Sequence, residues 1–185
     1  MDPFHVVALA ARKLDECRRR IQRVIAGRRG RAGDPLYRAR RTLHTGAGLL
    51  TDTQARRLQA LFADERYVPV TESWGVYQRL IQAYRTEEAG LGKYLMQRLI
   101  DSLRQAVPDG LEEIQTLART LTERASDTPG LLRPPPYLQR PHAKPSTDAR
   151  STYAASPWDL RNLTHYTIRS LIHTGRLKDH LTTTT

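Results

Sequence analysis

Arg12, Lys13, Arg18, Arg19, Arg20, Arg23, Arg28, Arg29, Arg31, Arg38, Arg40 and Arg41 crowd the start of this chain with few acids between them. A guanidinium group meets phosphate oxygens singly or in pairs, so the chemistry on offer is the holding of a polyanion. The chain as a whole leans the same way. Lys and Arg number 30 against 19 for Asp and Glu, a formal net charge of +11, and such an excess favours nucleic acid as a partner. Two readings stand for the stretch: a DNA path through Arg18, Arg19, Arg20, Arg28, Arg29, Arg31, Arg38, Arg40 and Arg41, or a solvated helix face. Tyr37 is the aromatic placed among them to stack a base.

Other chemistries have little to build on. His5, His44, His142, His165, His173 and His180 show no ligand spacing, and one cysteine, Cys17, supplies no convincing zinc site, so no metal is expected. Cys17 falls among apolar positions of a helical pattern, which reads as a buried thiol. Asp101, Glu112 and Glu113 sit on amphipathic patterns as solvated acids, and no phosphate-cradling glycine loop occurs. The N-terminus has no basic, apolar and cleavage regions of a secretory signal, and no apolar run reaches membrane-spanning length. A cytoplasmic protein with no membrane partner is expected.

The elements that would position these groups are helices. Phe4, Val7, Ala11, Leu14, Cys17, Ile21 and Val24 recur at steps of three and four. Asp2 and Pro3 suit the cap and first turn of that helix, and Gly27 with the RRGRAGDP stretch ends it. A second helix is predicted from about Leu36 to His44. Thr51 and Gln54 form a capping-box pattern ahead of a third, ending near Phe62. Trp74, Tyr77, Ile81 and Tyr84 mark a fourth, and Leu91, Leu95, Leu99, Ile100 and Leu103 a fifth, which Val107-Pro108 breaks. Leu111, Ile114, Leu117 and Leu121 open a sixth. No alternating strand is evident, so residues 1–127 read as an all-α array. Residues 128–159 are proline-rich and irregular, helical patterning returns over 160–178, and 179–185 form a polar tail.

Several strings, in order, carry a resemblance: DPFHVVALA, GDPLYRARRTLHT, LLTDTQARRLQALFADERYV, SWGVYQRLIQAYR and LRNLTHYTIRSLIHTGRL. They resemble the C-terminal half of DDE-type transposases of the ISL-three insertion-sequence group, in the branch common in high-GC actinobacteria. The resemblance implies a mainly α chain here: the helical part of an RNase H-like catalytic domain, with its β-sheet portion missing. It also implies three acidic residues holding Mg²⁺ in intact relatives. Asp2 matches the second acid. The first lies on a strand upstream in the family. The third, a glutamate, lies in a string close to SNGPTEAINGRLEHLRG just before RNLTHY. This chain has RNLTHY at Arg161–Tyr166 but no glutamate after Glu123.

The missing string is recoverable in other reading frames. Back-translating Leu132–His142 with a single-base shift permits a run close to the family's FDRP…TSNGPT. A further shift over Ala143–Trp158 permits EAINGR…EHLRG, after which RNLTHY continues in frame. A frame-disrupted transposase gene accounts for this, and a native proline-rich linker is the competing account. Two metal ions clamp the attacking and leaving oxygens in such phosphoryl transfer, and Asp2 alone cannot hold them. Asp2 also suits a plain helix cap. The expectation is a truncated, catalytically inactive remnant with no cofactor of its own, retaining non-specific DNA binding. A non-enzymatic helical DNA-binding protein, or one pairing with full-length transposase, is the alternative. A third reading is an active part completed by another chain.

Overall fold

The structure, a computed structural model, describes residues 3–105 and 107–127, with side chains from His5 to Arg124 apart from Ala106. Six α-helices form: α1 (Pro3–Ala26), α2 (Pro35–Ala39), α3 (Asp52–Phe62), α4 (Val68–Arg85), α5 (Ala89–Gln105) and α6 (Glu112–Asp127). Short 3-10 turns lie at Thr42–His44, Ala47–Leu49 and Glu65–Tyr67. No strand occurs among the described residues, in keeping with the mainly α reading. The expected irregular segment 128–159, helix 160–178 and tail 179–185 lie outside the described residues, as does Asp2.

Helix α1 forms because Val6, Ala10, Leu14, Cys17 and Ile21 bury one continuous stripe. The stripe stops there. Val24 is 73% exposed, while on the other face near the helix end the polar side chain of Gln22 is only 4% exposed. Gly27 then closes α1 in the left-handed region at φ 63°, where glycine meets no Cβ penalty. Its N–H donates to Arg23 O at 2.8 Å.

Four helices pack in a ring, α1 against α4, α4 against α5, α5 against α6, and α6 back against α1. Leu14 and Cys17, Trp74 and Leu80, Met96 and Leu99, and Ile114 and Leu117 fill the space between them, each almost fully covered. Burying such side chains contributes roughly 1.5–3 kcal/mol each. Gly92 sets the tight join of α4 and α5, since a Cβ there would come within 2.8 Å of the Ala83 carbonyl oxygen. Helices α2 and α3 with the 3-10 turns lie to one side, where Leu36, Leu43, Leu58 and Leu61 are buried.

The capping box forms as its residues predict. Gln54 N–H donates to Thr51 Oγ1 at 3.3 Å, and Thr51 N–H donates to Gln54 Oε1 at 3.0 Å. The second helix is shorter than its pattern suggests. It stops at Ala39, and the chain tightens through Arg40 N–Tyr37 O, His44 N–Arg41 O and Thr45 N–Thr42 O bonds, the i to i+3 pattern of a 3-10 turn. Tyr77 Oη donates to His44 O, and Gln78 Nε2 to Thr45 O. Helix α4 thus satisfies carbonyls at the end of the turn that follows α2.

Candidate nucleic-acid interface

The basic residues of α1 do not share one role. Arg18 is 6% exposed. Its Nε donates to Asp15 Oδ1 at 2.7 Å and its Nη1 to Gln22 Oε1 at 3.0 Å. A charge this covered requires such partners, because a buried ion without them is expensive. Arg19 pairs with the other oxygen of Asp15 yet stays largely exposed. Arg20 turns toward α6. Its Nε and Nη2 meet the two Glu113 oxygens at 2.8 and 2.9 Å, and Nη2 also donates to the Gly110 carbonyl. Burial pushes the Glu113 carboxyl up, but the Arg20 hydrogen bond and charge together outweigh it, and the net shift is down.

The loop after α1 is ordered around Asp34. Arg28 grips its two oxygens at 2.9 and 3.0 Å, Arg31 N–H donates to it at 2.7 Å, and Gln22 Nε2 at 3.2 Å. The Arg28 guanidinium first, and the Arg31 N–H second, hold the Asp34 carboxyl down at about 2. Gly30 allows this close fold, since a Cβ there would fall 1.9 Å from Gln22 Nε2. A continuous polar chain therefore runs from Asp15 through Arg18, Gln22 and Asp34 to Arg28. It fixes the loop backbone with the side chains of Arg29 and Arg31 exposed.

On α2, Asp34 stands at the N-cap position but makes no side-chain cap bond, its oxygens being engaged as above. Arg38 is exposed. Arg40 lies 4.1 Å over the Tyr37 ring and donates to the Tyr37 carbonyl at 2.9 Å. One face of Tyr37 is thereby covered. Arg41 is exposed at the start of the following turn. Among the described residues, the side chains of Arg29, Arg31, Arg38 and Arg41 enter no ion pair. The structure thus divides the basic stretch: Arg18 and Arg20 serve the fold, Arg28 orders the loop, and Arg29, Arg31, Arg38 and Arg41 face solvent unpaired.

Sequence reasoning passed over Gln22, Asp15 and Asp34, which organise the arginines. Asp15 was findable, since Arg18 and Arg19 follow it at i+3 and i+4, the spacing of helical ion pairs. Cys17 is buried as expected, and burial pushes its thiol up to about 11 against a smaller opposing effect of the Ser73 hydroxyl. Glu113 is no solvated acid but half-buried against Arg20. Among the described residues no group of three or more His, Cys, Asp or Glu side chains is placed to hold a metal. The Mg²⁺ implied by the resemblance thus has no ligand set in this part of the chain. None of the described helices is long and apolar enough to cross a membrane.

Comparison with known proteins adds the family. A family model described as Transposase matches residues 1–130, which takes in the whole helical ring and the basic loop. No curated protein and no solved structure matched the chain. The match spans well over half of the 185 residues, and the chain belongs to the DDE transposase family of the ISL-three insertion-sequence group.

Proposed function

We propose that this chain corresponds to the C-terminal helical part of a transposase of the type found in high-GC actinobacteria. In this reading the frame is disrupted over residues 128–159, catalysis is lost, and non-specific DNA binding remains. Loss of catalysis follows from the absence of any glutamate in the stretch before RNLTHY, where the family pattern carries its third acid. Asp2 then has no partner acid within the chain by resemblance, and no step of strand transfer is assigned to it.

The observation that carries the DNA reading is the exposed, unpaired set of Arg29 and Arg31 on a loop braced by Asp34, with Arg38 on α2 and Arg41 just after it. Braced side chains lose less freedom on meeting a phosphate than those on a loose loop. Fluorescence anisotropy with a labelled duplex at several salt concentrations tests it. Each phosphate contact adds about −0.9 to the slope of log affinity against log salt. Replacing the four by Gln should flatten the slope by about three to four units, equally for unrelated sequences. An unchanged slope refutes the reading. Incubation with Mg²⁺ or Mn²⁺ and DNA bearing the element's ends should give no nicking. Nicking abolished by Asp2→Ala would overturn the inactive remnant. Co-purification with full-length transposase would instead favour the pairing protein as this chain's role.

A further inference from the structure

Between α1 and the segment that follows α2 lies an open cleft of about 390 Å³, lined by Asp15, Arg18, Arg19, Arg40, Arg41 and His44. Four guanidinium groups face one carboxylate there. In the free protein Asp15 is shared between Arg18 and Arg19, one oxygen to each. The two pairings are unequal. The Arg18 side chain is 7% exposed and is held also by Gln22, whereas the Arg19 side chain is 61% exposed. An exposed helical pair of that kind is weak and screened by water and salt. Opposite, Arg40 commits one nitrogen to the Tyr37 carbonyl, and Arg41 forms no ion pair among the described residues.

We propose that this cleft seats one phosphodiester of a DNA strand, and that the phosphate takes Arg19 away from Asp15. Arg19 from one wall and Arg40 and Arg41 from the other converge on the phosphate oxygens. Arg18 stays on Asp15 and Gln22 as the floor. Asp15 acts as an internal competitor: it holds Arg19 in place while the cleft is empty and weakens binding by its own charge. A phosphate offers several acceptor oxygens to three guanidinium groups, where Asp15 offers Arg19 one. The seat shares Arg41 with the exposed set above, adds Arg19 and Arg40 to it, and rests on the reading that the chain binds DNA.

The test uses the full chain and a fluorescein-labelled duplex. Arg19→Gln with Arg41→Gln removes two exposed arms that carry no core packing. Affinity should fall, and the slope of log affinity against log salt should flatten by about one unit, because these arginines share a single phosphate. Arg98→Gln with Arg104→Gln on α5 is the control, and a clearly smaller change is expected. Asp15→Asn removes the competing charge, so affinity should rise while the slope, set by the number of phosphates contacted, stays about the same. Should Asp15→Asn unfold through Arg18, shown by a lost thermal transition, the Arg19 and Arg41 pair decides alone. Equal losses from the cleft and control pairs overturn the seat and leave the general DNA reading standing. If the wild-type chain binds no duplex, that reading falls. Inorganic pyrophosphate followed by arginine side-chain NMR then judges the cleft: shifts at Arg19, Arg40 and Arg41 sustain a phosphate seat, and silence overturns it.

Discussion

Asp34 shows how one carboxylate sets the posture of several cations. Its carboxyl is held at about 2, below its ordinary 3.8, by Arg28 first and the Arg31 N–H second. A carboxyl depressed in the folded state stabilises it above the ordinary value, and that contribution is lost as pH falls through the folded one. The loop should thus stay ordered above about pH 4 and loosen from there toward pH 2. Hydrogen exchange of the Arg31 amide, referred to amides of α4, measures this. Asp34→Asn should abolish the dependence and speed exchange at neutral pH. An Arg31 amide that tracks α4 throughout would contradict the assignment. The same residue scale explains what sequence could not show. Arg18, Arg19 and Arg20 are adjacent letters with one chemistry, yet one is buried, one exposed and one bound to α6. Helical rotation separates them, but the Glu113 that claims Arg20 lies 93 positions away.

At the scale of elements, the helices with strong period and clear boundary chemistry were readable. Thr51 and Gln54 announced α3 because a capping box is local, satisfying two amides within one turn. Thr51→Ala should cost about 1 kcal/mol in chemical denaturation, within the usual range for losing an N-cap. Thr51→Ser should restore most of it, and equal stability of all three would show that the cap contributes nothing. The spacing of Trp74, Tyr77 and Tyr84 gave the core face of α4, since all three are buried. By contrast, the end of α2 was unreadable. Leu36 and Leu43 are compatible with one longer helix, and the switch to i to i+3 bonding after Ala39, with His44 and Thr45 carbonyls held by Tyr77 and Gln78 of α4, has no counterpart in the apolar pattern. At the end of α1 the apolar period continues to Val24, which is exposed, while the buried Gln22 is covered by the loop at Gly30, a contact that periodicity does not encode.

On the whole-molecule scale, the ring of α1, α4, α5 and α6 closes within the described residues. All of its interfaces among the described residues are made before residue 128. A chain ended after Asp127 should keep a cooperative helical melt by circular dichroism, with the full chain's midpoint nearly retained. Loss of cooperativity would mean that residues beyond 127 are needed to hold the bundle, and would count against placing a segment boundary there. Membership of the transposase family fits this layout, as the match ends at residue 130, close to the last residue of α6.

The contact of α1 with α6 has a consequence for how the protein is made on the ribosome. Helix α1 emerges early and α4 can pack on it first, but α6, the last wall of the ring, is synthesised some hundred residues later, and closing so long a span is slow. Until then the nascent chain shows the part of its apolar surface that α6 will cover beside a strongly cationic stretch, a combination that chaperones and polyanions both recognise. Once α6 has been translated, the ring is complete. From that point the apolar surface is withdrawn, and the exposed arginines are left as the surface a polyanion meets.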